Sequence, residues 1–359
     1  SIGIQLGKHY EYLKPIMFSA GIGSIISNNV KKMLPQRGDL VVRLGGPAYK
    51  IGLGGGFNSS IDNTSKMSTQ SRDAVQRGDP QMENKLNRVI QILSELTPNP
   101  IKSIHDQGAG GLANVVKEIV YPNGAIIDLN QVTLGDKSLG PLEIWCSEFQ
   151  ESDVILIDPK FKEKVKEICE LENINMDVLG EVCDKSYGKV LVTFNNEKII
   201  DFELESILNP SIRKSYNLER DDLVIYDNSI KQLTETNDFI FERENIKQYI
   251  ENILGHLDVC SKRFLTTKVD RSVTGLISQQ QCVGPFQIPV SNYGEVAYSY
   301  TDNKGTSSAI GERPYLGLFS EKLQAQYSLV EMLTNISGSY IDNIENIKCS
   351  VNWMWANNS

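Results

Sequence analysis

The sequence predicts an α/β fold in which a mixed sheet is flanked by helices. Residues 40–44 (LVVRL) follow a Gly-Asp turn and have the composition of a buried strand. Residues 81–97 place apolar side chains at helical spacing with charged residues between them, as an amphipathic helix does. Strand patterns and helix patterns then alternate to about residue 202, which indicates one α/β unit up to that point.

The remaining elements follow from the same patterns. A strand is expected to end near Ile104, and a helix is expected at residues 113–120, directly after the glycines. A loop containing Gly135 and Gly140 comes next. Further strands are expected at residues 154–157, 178–182, 190–194, 199–202 and 295–300. Further helices are expected at residues 159–172, 203–209, 246–257 and 319–337.

With 359 residues, the chain is too long for one ordinary hydrophobic core, so two domains are expected. The composition shifts near residue 203, where polar and charged residues begin to dominate. The predicted organisation is an approach segment at 1–12, a first unit at 13–202, a linker at 203–245 and a second unit at 246–359.

Composition and charge exclude several classes of function. The formal net charge of -9 argues against a nucleic-acid surface, which needs a basic face. No apolar run approaches the roughly 18 residues that span a bilayer, and the N-terminus lacks the layout of a signal peptide. The six cysteines are scattered without a C-x-x-C pair, so we expect reduced thiols in a cytoplasmic protein. Both ends give the impression of a piece cut from a longer protein.

The stretch at residues 103–112 (SIHDQGAGGL) is the most informative part of the sequence. Its glycines allow close backbone approach to a ligand, and the helix that follows points its free N–H groups into the turn. Asp106 is therefore placed to hold a cation that bridges to an anionic ligand. The alternative is a tight strand-to-helix turn that Asp106 simply caps.

Two other patterns leave similar alternatives open. The glycine cluster at residues 45–56 lacks the spacing of a P-loop, so it is either a phosphate cradle or a plain connection. Glu331 and Asn335 are four residues apart on a predicted helix, where their oxygens can converge on one point. Oxygen ligands suit Mg²⁺, but an exposed polar face explains the same spacing.

Several of these motifs occur together in one known family. They are residues 44–47 (LGGP), 52–56 (GLGGG), 105–112 (HDQGAGGL), 141–146 (PLEIWC), 148–151 (EFQE), 270–275 (DRSVTG), 310–313 (IGER) and 333–336 (LTNI). In this order the chain resembles the phosphoribosylformylglycinamidine synthases, and in particular a central fragment of their long single-chain form.

The resemblance implies a fold and a reaction. The fold is that of aminoimidazole ribonucleotide synthetase, with residues 13–202 as the C-terminal half of one module and 246–359 as the truncated start of a second. The reaction is a purine-biosynthetic ligation, in which formylglycinamide ribonucleotide, ATP and glutamine give formylglycinamidine ribonucleotide, ADP, phosphate and glutamate. Mg²⁺ and ATP or ADP are the implied cofactors.

The resemblance also assigns roles in the first unit. Gln76 falls on a substrate-contacting glutamine and Asp106 on a magnesium-binding aspartate. Glu148, Phe149 and Gln150 fall on a substrate-binding Glu-Ser-Gln triplet. Phe149 replaces the serine of that triplet, which removes one hydroxyl contact.

In the second unit, the resemblance implies an auxiliary nucleotide site. Glu331 and Asn335 fall on its metal ligands, and Ser291 falls where the backbone meets the nucleotide. Asn292 is also a candidate metal ligand, although the family usually has aspartate there. The missing charge is expected to weaken magnesium binding.

The resemblance places the catalytic groups outside the chain. The catalytic histidines and ATP-binding residues would precede residue 1, and the glutaminase domain that releases ammonia would follow residue 359. The isolated fragment is therefore expected to be inactive. Its expected partners are the small-molecule substrates and the remaining domains of the same polypeptide. The alternatives are an inactive scaffold of the same fold, or another ATP-using member of the superfamily.

Overall fold

The computed structural model describes residues 3–6, 8–11, 21, 23, 25–53, 78–209, 245–256, 259–261, 263, 275–318 and 320–352. Contacts divide the chain into two compact units. One is Ser24–Ser215, and the other combines Ser1–Gly23 with Tyr216–Ser359. The domain boundaries at residues 12, 202 and 245 stay a prediction.

The 24–215 unit is built on a seven-stranded mixed sheet. After the hairpin of β1 (Gly3–Leu6) and β2 (Lys8–Glu11), which belongs to the other unit, its strands are β3 (Leu40–Gly45), β4 (Ile101–Asp106), β5 (Gly124–Asp128), β6 (Ser152–Ile157), β7 (Asn175–Val182), β8 (Lys189–Phe194) and β9 (Glu197–Glu203). Their spatial order is β4-β6-β3-β7-β5-β8-β9. Only β5 and β8 pair in parallel, and the other neighbours are antiparallel. This confirms the mixed sheet.

Helices cover both faces of this sheet. They are α1 (Pro80–Glu95), α2 (Gly111–Ile119), α3 (Pro141–Cys146), α4 (Lys162–Glu172) and α5 (Leu204–Leu208). Side chains alternate between the two faces along a strand, so Val42 and Leu44 pack with α1 and α4 while Val41 packs with α2 and α3. The unit therefore has two apolar cores, one on each side of the sheet.

Two elements of this unit were not expected from the sequence. Strand β5 and helix α3 lie where a loop was predicted. Helix α3 begins with Pro141, a residue that favours the first helical position, and the side chain of Glu143 accepts a hydrogen bond from the backbone N–H of Gly140. The loop prediction was wrong because glycine and proline here mark the start of a helix.

The other unit contains small sheets and two described helices. Its strands are β10 (Ile277–Gln279), β11 (Cys282–Val283), β12 (Ile288–Pro289), β13 (Tyr293–Ala297) and β14 (Gly305–Ala309). Strands β10, β13 and β14 form an antiparallel sheet, and β11 pairs with β12. The helices are α6 (Ile246–Gly255) and α7 (Glu321–Ile336), close to the expected positions. The hydroxyl of Ser320 caps α7 by accepting from the N–H of Leu323.

Candidate functional site

One end of the seven-stranded sheet gathers the motifs of the first unit. Strands β3 and β4 end here, and the antiparallel strands β6 and β7 begin here. Asp153, at the start of β6, pairs with Asp106 on one side and with Leu44 on the other. The turns that follow Gly45 and Asp106 therefore meet the segment that leads into β6.

The glycine turn after Asp106 packs directly on the end of α3. Gly110 and Gly111 have φ values of 85° and 58°, in the left-handed region that favours glycine. A Cβ atom on Gly111 would lie only 2.2 Å from the carbonyl oxygen of Ser147. The turn and the 146–150 segment are thus locked together as one surface.

Asp106 does not cap the helix that follows it. The N-cap of α2 is Gly110, and no side chain caps this helix. The carboxylate of Asp106 is instead 86% exposed to solvent, with one oxygen 3.6 Å from the Nδ1 atom of His105. The Nε2 atom of His105 lies 2.8 Å from the carboxylate of Glu118. The structure therefore rules out the capping alternative and leaves Asp106 open to a ligand.

A second carboxylate lies beside Asp106. Burial, and then the charges of Asp106 and Glu83, raise the pKa of Asp153 to about 6. Within the described residues, no three His, Cys, Asp or Glu side chains converge to form a metal centre. An exposed carboxylate next to another one fits Mg²⁺, which keeps several waters and takes its other ligands from substrate phosphates.

The triplet at residues 148–150 alternates in exposure. Glu148 and Gln150 are half-exposed, whereas the side chain of Phe149 is buried in the apolar core beneath α2 and α3. The side chain of Phe149 therefore belongs to the core, and the substrate contact expected at this position stays a prediction. Only its backbone is left to face a ligand, as the lost serine hydroxyl already implied.

The residue after the triplet connects it to α1. Glu151 has a φ of 51°, and its carboxylate accepts a hydrogen bond from the backbone N–H of Asp79 at 3.0 Å. Burial raises the pKa of Glu151, although the bond from Asp79 opposes this shift. Gln76, the remaining expected substrate contact, lies outside the described residues.

A buried arginine behind these turns was not singled out from the sequence. Arg43 is fully buried on β3, and its Nη1 lies 2.8 Å from the carboxylate of Asp177. Its Nη2 donates to the carbonyl oxygen of Gly46 at 2.6 Å and to the hydroxyl of Ser152 at 3.0 Å. Its Nε donates to the side-chain oxygen of Gln107 at 3.3 Å. The signal in the sequence was a charged residue within an apolar strand.

In the other unit, Glu331 and Asn335 bind the same neighbouring segment. The carboxylate of Glu331 accepts from the N–H of Glu312 at 2.9 Å and pairs with Arg313 at 2.6 Å. Asn335 donates to the carbonyl oxygen of Ile310 at 2.9 Å. Both side chains therefore contact residues 310–313, Glu331 through its carboxylate oxygen and Asn335 through its amide nitrogen, and their expected role as metal ligands stays a prediction. A cation at Glu331 has to compete with Arg313.

The remaining two predicted residues lie between β12 and β13. The hydroxyl of Ser291 donates to the carbonyl oxygen of Tyr293 at 2.8 Å and accepts from Gln279 at 3.0 Å. Asn292 is exposed. The nucleotide and metal roles of both residues stay predictions.

Two family models match the chain. Residues 36–193 match the C-terminal domain of AIR synthase related proteins, and residues 261–359 match the FGAR-AT PurM_N-like domain. In the part of the chain that is described, no helix has both the length and the apolar character to span a bilayer.

Curated relatives match almost the whole chain. A probable phosphoribosylformylglycinamidine synthase, chloroplastic/mitochondrial, of Arabidopsis thaliana is 41% identical over 99% of this chain and 26% of its own length. The phosphoribosylformylglycinamidine synthase of Dictyostelium discoideum is 39% identical over 98% of this chain and 26% of its own length. The chain thus spans about a quarter of the length of these relatives.

Solved structures confirm the fold. A structure described as T. maritima PurL complexed with FGAR has a TM-score of 0.61 at 20% identity, over 86% of this chain and 44% of that chain. The structure of PurLQS from Thermotoga maritima has a TM-score of 0.56 at 18% identity, over 85% of this chain and 43% of that chain. The expected α/β fold of the synthetase type is therefore confirmed.

Proposed function

We propose that this chain, which is homologous over its whole length to the phosphoribosylformylglycinamidine synthases, forms one wall of a ribonucleotide site. The protein that carries it then converts formylglycinamide ribonucleotide, ATP and glutamine to formylglycinamidine ribonucleotide, ADP, phosphate and glutamate. The observation that carries this proposal is the contact of Gly111 with Ser147, which joins the glycine turn to the 148–150 segment.

Three side chains of the described wall are suited to bind the substrate. Asp106 is exposed at the end of β4, and Glu148 and Gln150 are half-exposed on either side of the buried Phe149. Glu148 and Gln150 would hold polar groups of formylglycinamide ribonucleotide, together with Gln76. The packed turn keeps these side chains in place, so that less ordering is required on binding.

Magnesium fits the acidic end of this wall. Asp106 would hold it, with the neighbouring carboxylate of Asp153 adding negative charge. When bound, Mg²⁺ would neutralise the charge of nucleotide phosphates. In the other unit, Glu331, Asn335 and Asn292 would hold a second cation and Ser291 would meet a nucleotide, ATP or ADP, through its backbone.

The chemistry itself would need further parts of the polypeptide. We assign no catalytic residue to this chain, so other domains would supply the groups that activate the substrate and release ammonia from glutamine. The isolated chain is therefore expected not to turn over. The cytoplasm is the proposed location, since scattered cysteines without a C-x-x-C pair are typical of reducing compartments.

The test is an assay of the full-length protein. Product formation should require ATP, glutamine and formylglycinamide ribonucleotide together, and Asp106→Asn should lower it strongly. Glu118→Gln, a matched change in the neighbouring carboxylate, should retain most of the activity. ATP consumption with a different acceptor would favour another superfamily member. If the full-length protein forms no product and binds nucleotide and substrate no better with Mg²⁺ than without it, a scaffold would be favoured.

A further inference from the structure

Arg43 connects three separate turns at the ligand-facing end of the sheet. It reaches the carbonyl oxygen of Gly46 after β3, the side chain of Gln107 in the glycine turn and the hydroxyl of Ser152 at the start of β6. Gln107 directly follows Asp106, and Ser152 follows the segment that carries Glu148 and Gln150. Within the described residues, no other cationic side chain is fully buried.

Removing an arginine side chain from water costs free energy. Its ion pair and hydrogen bonds compensate this cost only when their geometry is good. Burial lowers the pKa of Arg43, whereas the charge of Asp177 opposes this shift. One carboxylate already compensates the charge, with Nη1 of Arg43 2.8 Å from Asp177. The N–H of Nε and the two N–H groups of Nη2 donate to Gln107, Gly46 and Ser152. A planar guanidinium has a fixed geometry, so it fixes the three turns relative to one another.

We propose that Arg43 is a positioning residue for the ribonucleotide site and acts through Gln107 and Ser152. It touches no ligand itself. The bond to Gln107 holds the residue next to Asp106, and the bond to Ser152 holds the strand that follows Glu148 and Gln150. This inference rests on the proposed function, because it concerns the same wall.

A substitution at Gln107 removes one of the hydrogen bonds of Arg43 and leaves the others in place. Its side chain is 4% exposed, and its Nε2 has no hydrogen-bond partner in the described part of the chain. Gln107→Met keeps the length of the side chain and removes only the acceptor for Arg43. The backbone N–H of Gln107 still donates to the carbonyl oxygen of Ser152 at 2.9 Å.

Thr133 offers the matched control on the opposite side of the network. Its hydroxyl donates to Asp177 at 2.6 Å, and its backbone N–H donates to the same carboxylate at 3.0 Å. Thr133→Val keeps the β-branched shape and removes the hydroxyl, and with it one hydrogen bond to Asp177. It disturbs the same buried ion pair and leaves the three acceptors of Arg43 outside that pair, Gly46, Gln107 and Ser152, unchanged.

The experiment measures two quantities on the full-length protein and its variants. One is the dissociation constant of formylglycinamide ribonucleotide by calorimetry, and the other is the midpoint of denaturant unfolding. Gln107→Met and Ser152→Ala should each weaken binding about tenfold, since small displacements of positioned groups are costly. Thr133→Val should lower the unfolding midpoint at least as much as these two substitutions do. It should change the dissociation constant of the ribonucleotide less than about twofold.

Each outcome bears on a different claim. Failure of the wild-type protein to bind the ribonucleotide overturns both the proposed function and this inference. Wild-type binding with unchanged affinity in both Gln107→Met and Ser152→Ala overturns the inference alone. Equal loss of affinity in Thr133→Val also overturns it, because the network would then act only through stability. If Gln107→Met does not fold, Ser152→Ala decides the matter.

Discussion

Gly111 and Ser147 approach so closely that no side chain fits between them. A Cβ atom on Gly111 would lie 2.2 Å from the carbonyl oxygen of Ser147, and the φ of Gly111 is 58°. This contact joins the start of α2 to the end of α3. It also brings the glycine turn against the segment that carries Glu148 and Gln150.

Gly111→Ala should therefore separate these two segments. The backbone clash and the left-handed conformation together should lower the free energy of unfolding by more than about 2 kcal/mol. Chemical denaturation measures this directly. Gly108→Ala is the control, because its Cβ would lie at an ordinary distance of 3.6 Å from Asp106. Equal effects of the two substitutions would contradict the packing described for Gly111.

The buried ion pair predicts a large loss of stability when one partner is removed. Arg43→Met leaves the carboxylate of Asp177 buried without its charge partner, so we expect a loss of about 3–5 kcal/mol in the free energy of unfolding. Arg88→Met breaks the exposed pair with Glu172 and should have little effect. A small effect of Arg43→Met would show that the pair does not hold the turns.

Asp153 predicts a pH dependence with a definite sign. Its pKa in the folded protein is about 6, above the ordinary value of 3.8, so the folded state holds its proton more tightly. The protonated carboxyl of Asp153 therefore contributes to the free energy of unfolding in full below pH 3.8. This contribution is lost as the pH rises through about 6. Asp153→Asn should raise the free energy of unfolding at pH 7 by roughly 3 kcal/mol.

The measurement is denaturant unfolding across this pH range, without divalent ions. Asp158 is the control, because its pH dependence should have the opposite sign: its hydrogen bonds with Lys160 lower its pKa. Its contribution to stability is present at neutral pH and is lost as the pH falls. An Asp153→Asn variant with an unchanged pH profile would contradict the account of Asp153.

The cysteines predict an order of chemical reactivity. Burial raises the pKa of Cys169 to about 12, whereas Cys349 is exposed. Since the thiolate is the reactive form, native protein treated with iodoacetamide should be labelled at Cys349 and spared at Cys169. Peptide mass spectrometry reads both sites, with denatured protein as the control. Equal labelling in the native state would contradict the packing of α4 against the sheet.

Local pattern was sufficient for most of the fold. The apolar strand at β3 and the amphipathic helix α1 were expected from spacing alone, because their periodicity is strong. Helix α3 was missed because six residues show little periodicity and its glycine and proline resemble a loop. The order of the strands in the sheet could not be predicted from local patterns, because neighbours in the sheet are not neighbours in the chain: β6 lies between β3 and β4.

Only those residues of the candidate site that lie within a recognisable sequence motif were predicted. Asp106 was singled out from the glycine turn itself, whereas Glu148 and Gln150 follow from the resemblance, and the structure gives all three exposed or half-exposed positions. The bonds from Arg43 to Gln107 and Ser152 join residues 64 and 109 positions apart, so no local pattern reveals them. The burial of Phe149 likewise depends on tertiary packing.

The most direct test of the central claim is a crystal structure of the full-length protein with formylglycinamide ribonucleotide and Mg²⁺. We expect the ribonucleotide against Glu148 and Gln150, with the metal ion bound by the carboxylate of Asp106. A ribonucleotide bound away from this end of the sheet, with no contact to these three residues, would contradict the account.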